Sequence, residues 1–185
     1  MPTVQQKLAQ LKDLDEFVVL ATVSAQKYQE TNIEIIRSLT EEMNIPGVYV
    51  TLNKPYEAVK KLLLQKKVDA RLIIFIDAVS RMGGGGERKT KECLFIGSPE
   101  NLSDISIAMD QAVRALPSKE KFLFFDSLNT LLTYNEIPVV VKFIHFLSTK
   151  MRAWKVKGII ISLEKKKNQE LIGELSQFCD LAIDL

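Results

Sequence analysis

Short runs of almost uninterrupted Val, Ile, Leu and Phe recur along this chain, at residues 17–23, 48–52, 71–77, 121–126, 157–163 and 181–185, with a shorter run at 92–96. A strand with one face in water alternates apolar and polar residues. Runs that are apolar throughout need cover on both faces, which is the condition of a parallel strand with helices above and below it. The intervening segments supply that cover. Apolar residues fall at helical spacing at Ile33, Ile36, Leu39 and Met43, and at Val59, Leu62 and Leu63 behind Pro55. The same spacing recurs at Leu102, Ile105, Met109, Val113 and Leu116, and at Val140, Ile144, Leu147 and Met151. This alternation predicts α/β architecture: an open, mainly parallel sheet with helices on both faces.

At 185 residues the chain fits one domain. Val4, Leu8, Leu11 and Leu14 predict an amphipathic helix over residues 3–15, so the expected division is an N-terminal helix at 1–16 and a single α/β domain at 17–185. A net charge of +2 does not by itself imply a nucleic-acid surface. Cys93 and Cys179 in a chain with no signal-like N-terminus point to a reducing compartment, and the expected location is cytoplasmic. The longest apolar stretches fall well short of the ~20 residues that span a bilayer, so no membrane association is expected.

Chemistry concentrates at the ends of the apolar runs. Lys121-Phe-Leu-Phe-Phe-Asp126-Ser127-Leu128 ends abruptly in a carboxylate and a hydroxyl, as a Walker B strand does. The usual companion is a glycine-rich loop that cradles phosphate on backbone N–H groups, yet no glycine precedes Gly47. The turn after the first run reads Ser24-Ala25-Gln26-Lys27-Tyr28. Lys27-Tyr28 echoes the Lys-Ser/Thr pair of a phosphate loop, but Tyr is bulky for a magnesium-side hydroxyl, and Ser, Ala and Gln resist the positive φ that glycine adopts without cost. Asp126 has two readings, a magnesium ligand held through water or a carboxylate that caps the next helix. Asp77 ends its own run in the same way, and a shared metal site requires the two strands to be neighbours. No metal is expected unless Asp126 holds one.

The remaining features read mainly as structure. Gly83 to Gly86, flanked by Arg88, Lys89 and Lys91, lacks apolar periodicity and is followed by charges and a short strand, so it reads as a flexible loop rather than a phosphate cradle. Ser98-Pro99 predicts a helix start. His145 is the only histidine, which leaves no material for a histidine-rich zinc site. It reads as a boundary residue and Cys179 as a buried one. The charge run at 164–167 reads as a solvated loop or a subunit contact.

Taken together, these residues resemble KaiC-like members of the RecA superfamily, in particular small archaeal proteins that keep this fold with an eroded Walker A loop. The likeness spans about residues 15–185. Gly47-Val-Tyr-Val-Thr-Leu52 resembles the family's second strand, Phe124-Phe-Asp126-Ser127-Leu128 its Walker B segment, Gly158-Ile-Ile-Ile-Ser-Leu163 the strand after that, and Phe178-Cys-Asp180-Leu-Ala-Ile-Asp-Leu185 its closing strand. The resemblance implies the strand order 71–77, 48–52, 121–126, 157–163, 17–23, 181–185. It also maps the phosphate loop onto Ser24–Tyr28 and the water-activating carboxylates onto Leu52-Asn53-Lys54, where neither Asn nor Lys can serve as a carboxylate base.

The resulting expectation is a non-catalytic, pseudo-ATPase domain that acts through protein–protein association, homotypic or with an active ATPase. Its vestigial nucleotide site comprises Ser24, Gln26, Lys27, Tyr28, Asp126 and Ser127, and its partner-contact candidates are Arg88, Lys89, Lys91 and the N-terminal helix. No cofactor is expected. One alternative is a nucleotide-binding ATPase that uses ATP and Mg2+ at a divergent phosphate site. Another is a nucleic-acid accessory protein that uses the basic loop.

Overall fold

The computed structural model describes residues 4–85, 90–164 and 168–185. In chain order its elements are α1 (Val4–Ala9), β1 (Phe17–Val23), α2 (Tyr28–Arg37) continuing into a π-helical turn (Ser38–Glu42), β2 (Gly47–Thr51), α3 (Tyr56–Gln65) and β3 (Ile73–Asp77). A 3-10 turn (Ser80–Gly83), β4 (Cys93–Phe95), α4 (Leu102–Ala115), β5 (Phe122–Asp126) and α5 (Leu128–Tyr134) follow. The chain closes with α6 (Ile137–Ala153), β6 (Lys157–Leu163), α7 (Gln169–Ser176) and β7 (Leu181–Asp184).

All seven strands are parallel, in the order β4-β3-β2-β5-β6-β1-β7. This is the order expected from the resemblance, with β4 added at one edge. The strand period of two divides each apolar run between two cores. Phe122 and Phe124 join Val19, Tyr49 and Phe75 under α1, α2 and α3. Leu123 and Phe125 join Val18, Val50 and Ile160 under α4, α5, α6 and α7. Close approach is built in at two glycines: a Cβ on Gly47 falls 2.3 Å from the ring of Phe122, its partner on β5, and one on Gly158 falls 2.5 Å from Met151 Sδ.

Several boundaries differ from expectation for identifiable reasons. The first helix stops at Ala9, and Leu11 is buried in the turns that follow while Leu14 is 47% exposed. Past the helix, the carbonyls of Lys12 and Leu14 accept from the buried ammonium of Lys157 on β6. Helix α4 begins at Leu102 rather than at Pro99, because Ser98 Oγ takes up the Glu100 N–H in a turn of its own. Helices α5 and α7 are additions to the expected pattern. Cys179 is only half-buried, although burial pushes its thiol up to about 11. His145 is exposed and stacks on half-buried Phe178 with ring centroids 4.6 Å apart. Gly86, Arg88, Lys89 and residues 165–167 lie outside the described residues. Among those described, no helix is long and apolar enough to cross a membrane.

Candidate functional site

Asp77, Thr51 and Asp126 stand side by side at the carboxyl ends of β3, β2 and β5, in one row across the sheet. Two strand spacings, about 10 Å, separate the carboxylates. Their surroundings differ as well. Asp77 Oδ1 accepts the N–H groups of Val79 and Ser80, both at 2.8 Å. Its Oδ2 accepts Tyr56 N–H at 2.8 Å and Ser80 Oγ at 2.6 Å. It therefore binds the turn after β3 to the first residue of α3, a structural role, and the two carboxylates do not converge on a shared metal. Among the described residues, no group of three His, Cys, Asp or Glu side chains is placed to hold a metal ion.

Asp126 continues the alternation of Phe122 and Phe124, so its side chain enters the α1–α3 face beneath the first turns of α2. It is 3% exposed. Tyr28 Oη, at the start of α2, donates to Oδ1. Tyr49 Oη, from β2, donates to Oδ2 at 2.7 Å, and Asn32 Nδ2, one helical turn beyond Tyr28, donates to the same oxygen at 3.3 Å. Asn53 Nδ2 donates to Tyr28 Oη at 2.7 Å, holding the phenol from its solvent side. The carboxylate does not cap α5, whose N-cap residue Ser127 is buried and makes no capping bond.

The electrostatics follow from burial. Desolvation pushes the Asp126 carboxyl above its ordinary range, and the bonds from Tyr28, Tyr49 and Asn32 together with the Lys54 charge offset only part of that rise. The same burial, reinforced by the negative Asp126, raises both phenols above their usual range, so Tyr28 and Tyr49 remain protonated donors. The space left is small. A cavity of ≈ 20 Å³ lies against Tyr28, Asn32, Tyr49, Lys54 and Asp126, and Asn32 Oδ1, buried beside it, has no hydrogen-bond partner. Such a volume suits one water molecule, whereas ligand pockets run to several hundred Å³.

The turn from β1 to α2 comprises only residues 24–27. Lys27 holds the N-cap position at φ −98° with an exposed side chain, Gln26 is exposed and Ser24 half-buried. Positive φ occurs among the described residues at Asn44, Lys67, Gly84 and Lys155, and at none in this turn. A cradle of successive N–H groups is built by combining right- and left-handed conformations, and this turn has none of the latter. Of the residues singled out in the sequence, Tyr28 and Asp126 therefore meet, Ser127 lies beside them, and Gln26 and Lys27 face solvent. Lys91 is exposed next to β4, away from this site. Tyr49 and Asn32 were not anticipated. Two signals bear on them: a phenol inside an otherwise apolar strand needs a partner for its hydroxyl, and Asn32 lies four residues after Tyr28, on the same helical face.

A family model described as a family of unknown function (DUF7504) matches residues 35–185. No curated protein matches the chain. Among solved structures, the KaiC-like protein PH0186 from the hyperthermophilic archaeon Pyrococcus horikoshii OT3 superposes with a TM-score of 0.63, covering 91% of this chain and 71% of that one at 17% identity. At that identity the likeness is one of fold, a KaiC/RecA-like parallel sheet with helices on both faces.

Proposed function

The chain belongs to a family of unknown function (DUF7504), and on that premise we propose that it is a KaiC/RecA-like domain without ATP turnover, which works by association with other proteins. The observation that carries this reading is the closure of Asp126 by the chain's own donors. In a nucleotide-hydrolysing site of this fold, a carboxylate at the end of that strand faces a hydrated magnesium ion and the phosphates. Here Tyr28, Tyr49 and Asn32 direct their donors at both carboxylate oxygens. The residues do not fit a magnesium–phosphate group. The space beside Asp126 is only ≈ 20 Å³, the turn at 24–27 offers no left-handed residue to wrap a phosphate, and Asn53 Nδ2 donates to Tyr28.

Phosphoryl transfer depends on positioned charge and an activated water, and among the described residues around Asp126 there is neither a phosphate-wrapping turn nor a carboxylate left free of the chain's own donors. With chemistry absent, what such a domain offers is its surface. Calorimetry with ATP and magnesium separates binding from hydrolysis. The expected result is no turnover, at most weak nucleotide binding, and identical phosphate release from the wild type, Asp126→Ala and Lys27→Ala proteins. Turnover that disappears on either substitution overturns the reading in favour of an ATPase with a divergent phosphate site.

A further inference from the structure

We infer that the free edge of β4, with the groove between it and α4, accepts an extended acidic and aliphatic segment of a partner protein as an added strand. Strand β4 is last in the sheet order and, among the described residues, pairs with β3 alone. Phe75 N–H donates to Glu92 O at 2.7 Å and Ile96 N–H to Asp77 O at 2.8 Å, so the main-chain groups of 92, 94 and 96 face β3. By the strand's period of two, the N–H and C=O groups of Cys93 and Phe95 face outward, where no strand of the described residues meets them.

A groove lies beside that edge. A cavity of ≈ 500 Å³ is bounded by Leu94 and Phe95 on the strand and by Ile107, Ala108 and Gln111 on α4. A second, of ≈ 210 Å³, shares Leu94 and Gln111 and continues along the helix to Ala115. Ile107 is 57% exposed, an uncovered aliphatic side chain in reach of a strand laid along the edge. This is the arrangement in which main-chain bonds give affinity and a neighbouring groove selects alternate side chains.

Charge decides between occupants. Arg81 borders the first cavity and Lys91 the second, and neither has an ion-pair partner among the described residues. Asp104 is the one acidic residue in either lining. A second copy of this edge brings no excess of carboxylates to those cations, whereas a segment with carboxylates flanking an aliphatic residue neutralises them. The chemistry recognised is therefore that of an acidic, β-prone segment of a different protein.

The inference rests on the reading of this domain as one that works by contact. A library of random dodecapeptides displayed on phage, selected against the full-length protein, tests it without presuming a partner. Enriched peptides are expected to alternate aliphatic and acidic residues. Synthesised, they should bind about tenfold more weakly to the surface variants Ile107→Glu and Lys91→Glu than to wild type. In the complex, amide exchange at Cys93 and Phe95 should slow. Peptides without acidic residues, affinities indifferent to both variants, or unchanged exchange at those amides overturn the inference. Self-association in sedimentation that Ile107→Glu abolishes assigns the edge to a second copy and overturns it as well. ATP turnover with peptide binding intact removes the contact-only reading and leaves the edge site standing; no turnover and no peptide binding does the reverse.

Discussion

The Tyr49→Phe substitution isolates one donor of the Asp126 closure. It removes a hydroxyl and leaves the ring, so the contacts to Phe75 and Phe124, at centroid distances of 5.8 and 4.9 Å, persist. What is lost is a 2.7 Å bond to a buried carboxylate. Hydrogen bonds to charged groups contribute about 1.5–3 kcal/mol, and a domain of this size loses about 2–4 °C in Tm per kcal/mol, so the expected fall is on the order of 3–12 °C. In an Asp126→Asn background the acceptor is neutral and the same change should cost about 0.5–1.5 kcal/mol, leaving a coupling on the order of 1 kcal/mol in the double-mutant cycle. The pH dependence adds a second constraint. Burial raises the folded-state pKa of Asp126 above its unfolded value, so between the two the folded state binds more protons. Stability from this group is therefore greatest below the ordinary carboxyl range and falls as pH rises through the folded value. Asp126→Asn should flatten that fall and be at least as stable as wild type at neutral pH. Tyr49→Phe, by withdrawing a donor that favours the ionised form, should cost more at neutral pH than in acid. Urea denaturation followed by circular dichroism at both pH values measures all of this. An equal cost of Tyr49→Phe in both backgrounds and at both pH values refutes the assignment of a charged, closed Asp126.

Three further changes probe the frame around the site. Gly47→Ala places a Cβ against the Phe122 ring and should cost about 1–3 kcal/mol by overpacking, with part of the loss restored by Phe122→Leu, as read by denaturation midpoints. Lys157→Met leaves the carbonyls of Lys12 and Leu14 without their buried donor. It should cost about 1–3 kcal/mol and speed amide exchange in the segment between α1 and β1 more than in β5. Asp180 is held below its ordinary range because the Arg152 guanidinium and the Val18 N–H together outweigh the opposing effect of burial. Its contribution is present above the ordinary carboxyl value and lost as pH falls through the depressed one. Asp180→Asn should therefore lower stability at neutral pH and narrow the gap to wild type in acid; a constant gap refutes the linkage.

The apolar runs determined the strands by themselves, because only a parallel sheet covered on both faces gives every residue of such a run somewhere dry to go. The lack of glycine before Gly47 likewise left its mark on the short turn between β1 and α2, since the conformations a phosphate cradle needs are steep for Ser, Ala and Gln. Local sequence could not decide which of Phe124 and Phe125 faces α2, since both faces of the sheet are equally apolar; packing chose, and with it the side on which Asp126 emerges. Nor could it bring Tyr28 and Tyr49 to that carboxylate, for they lie 98 and 77 residues away in the chain and are joined to it only by sheet order and helix placement. The segment after the first helix has the same origin, since a lysine on β6 ties down the carbonyls of Lys12 and Leu14. Periodicity reports what each segment must bury. Which polar groups meet once it is buried is a property of the assembled sheet, because a buried donor or acceptor takes whatever partner the fold brings within reach.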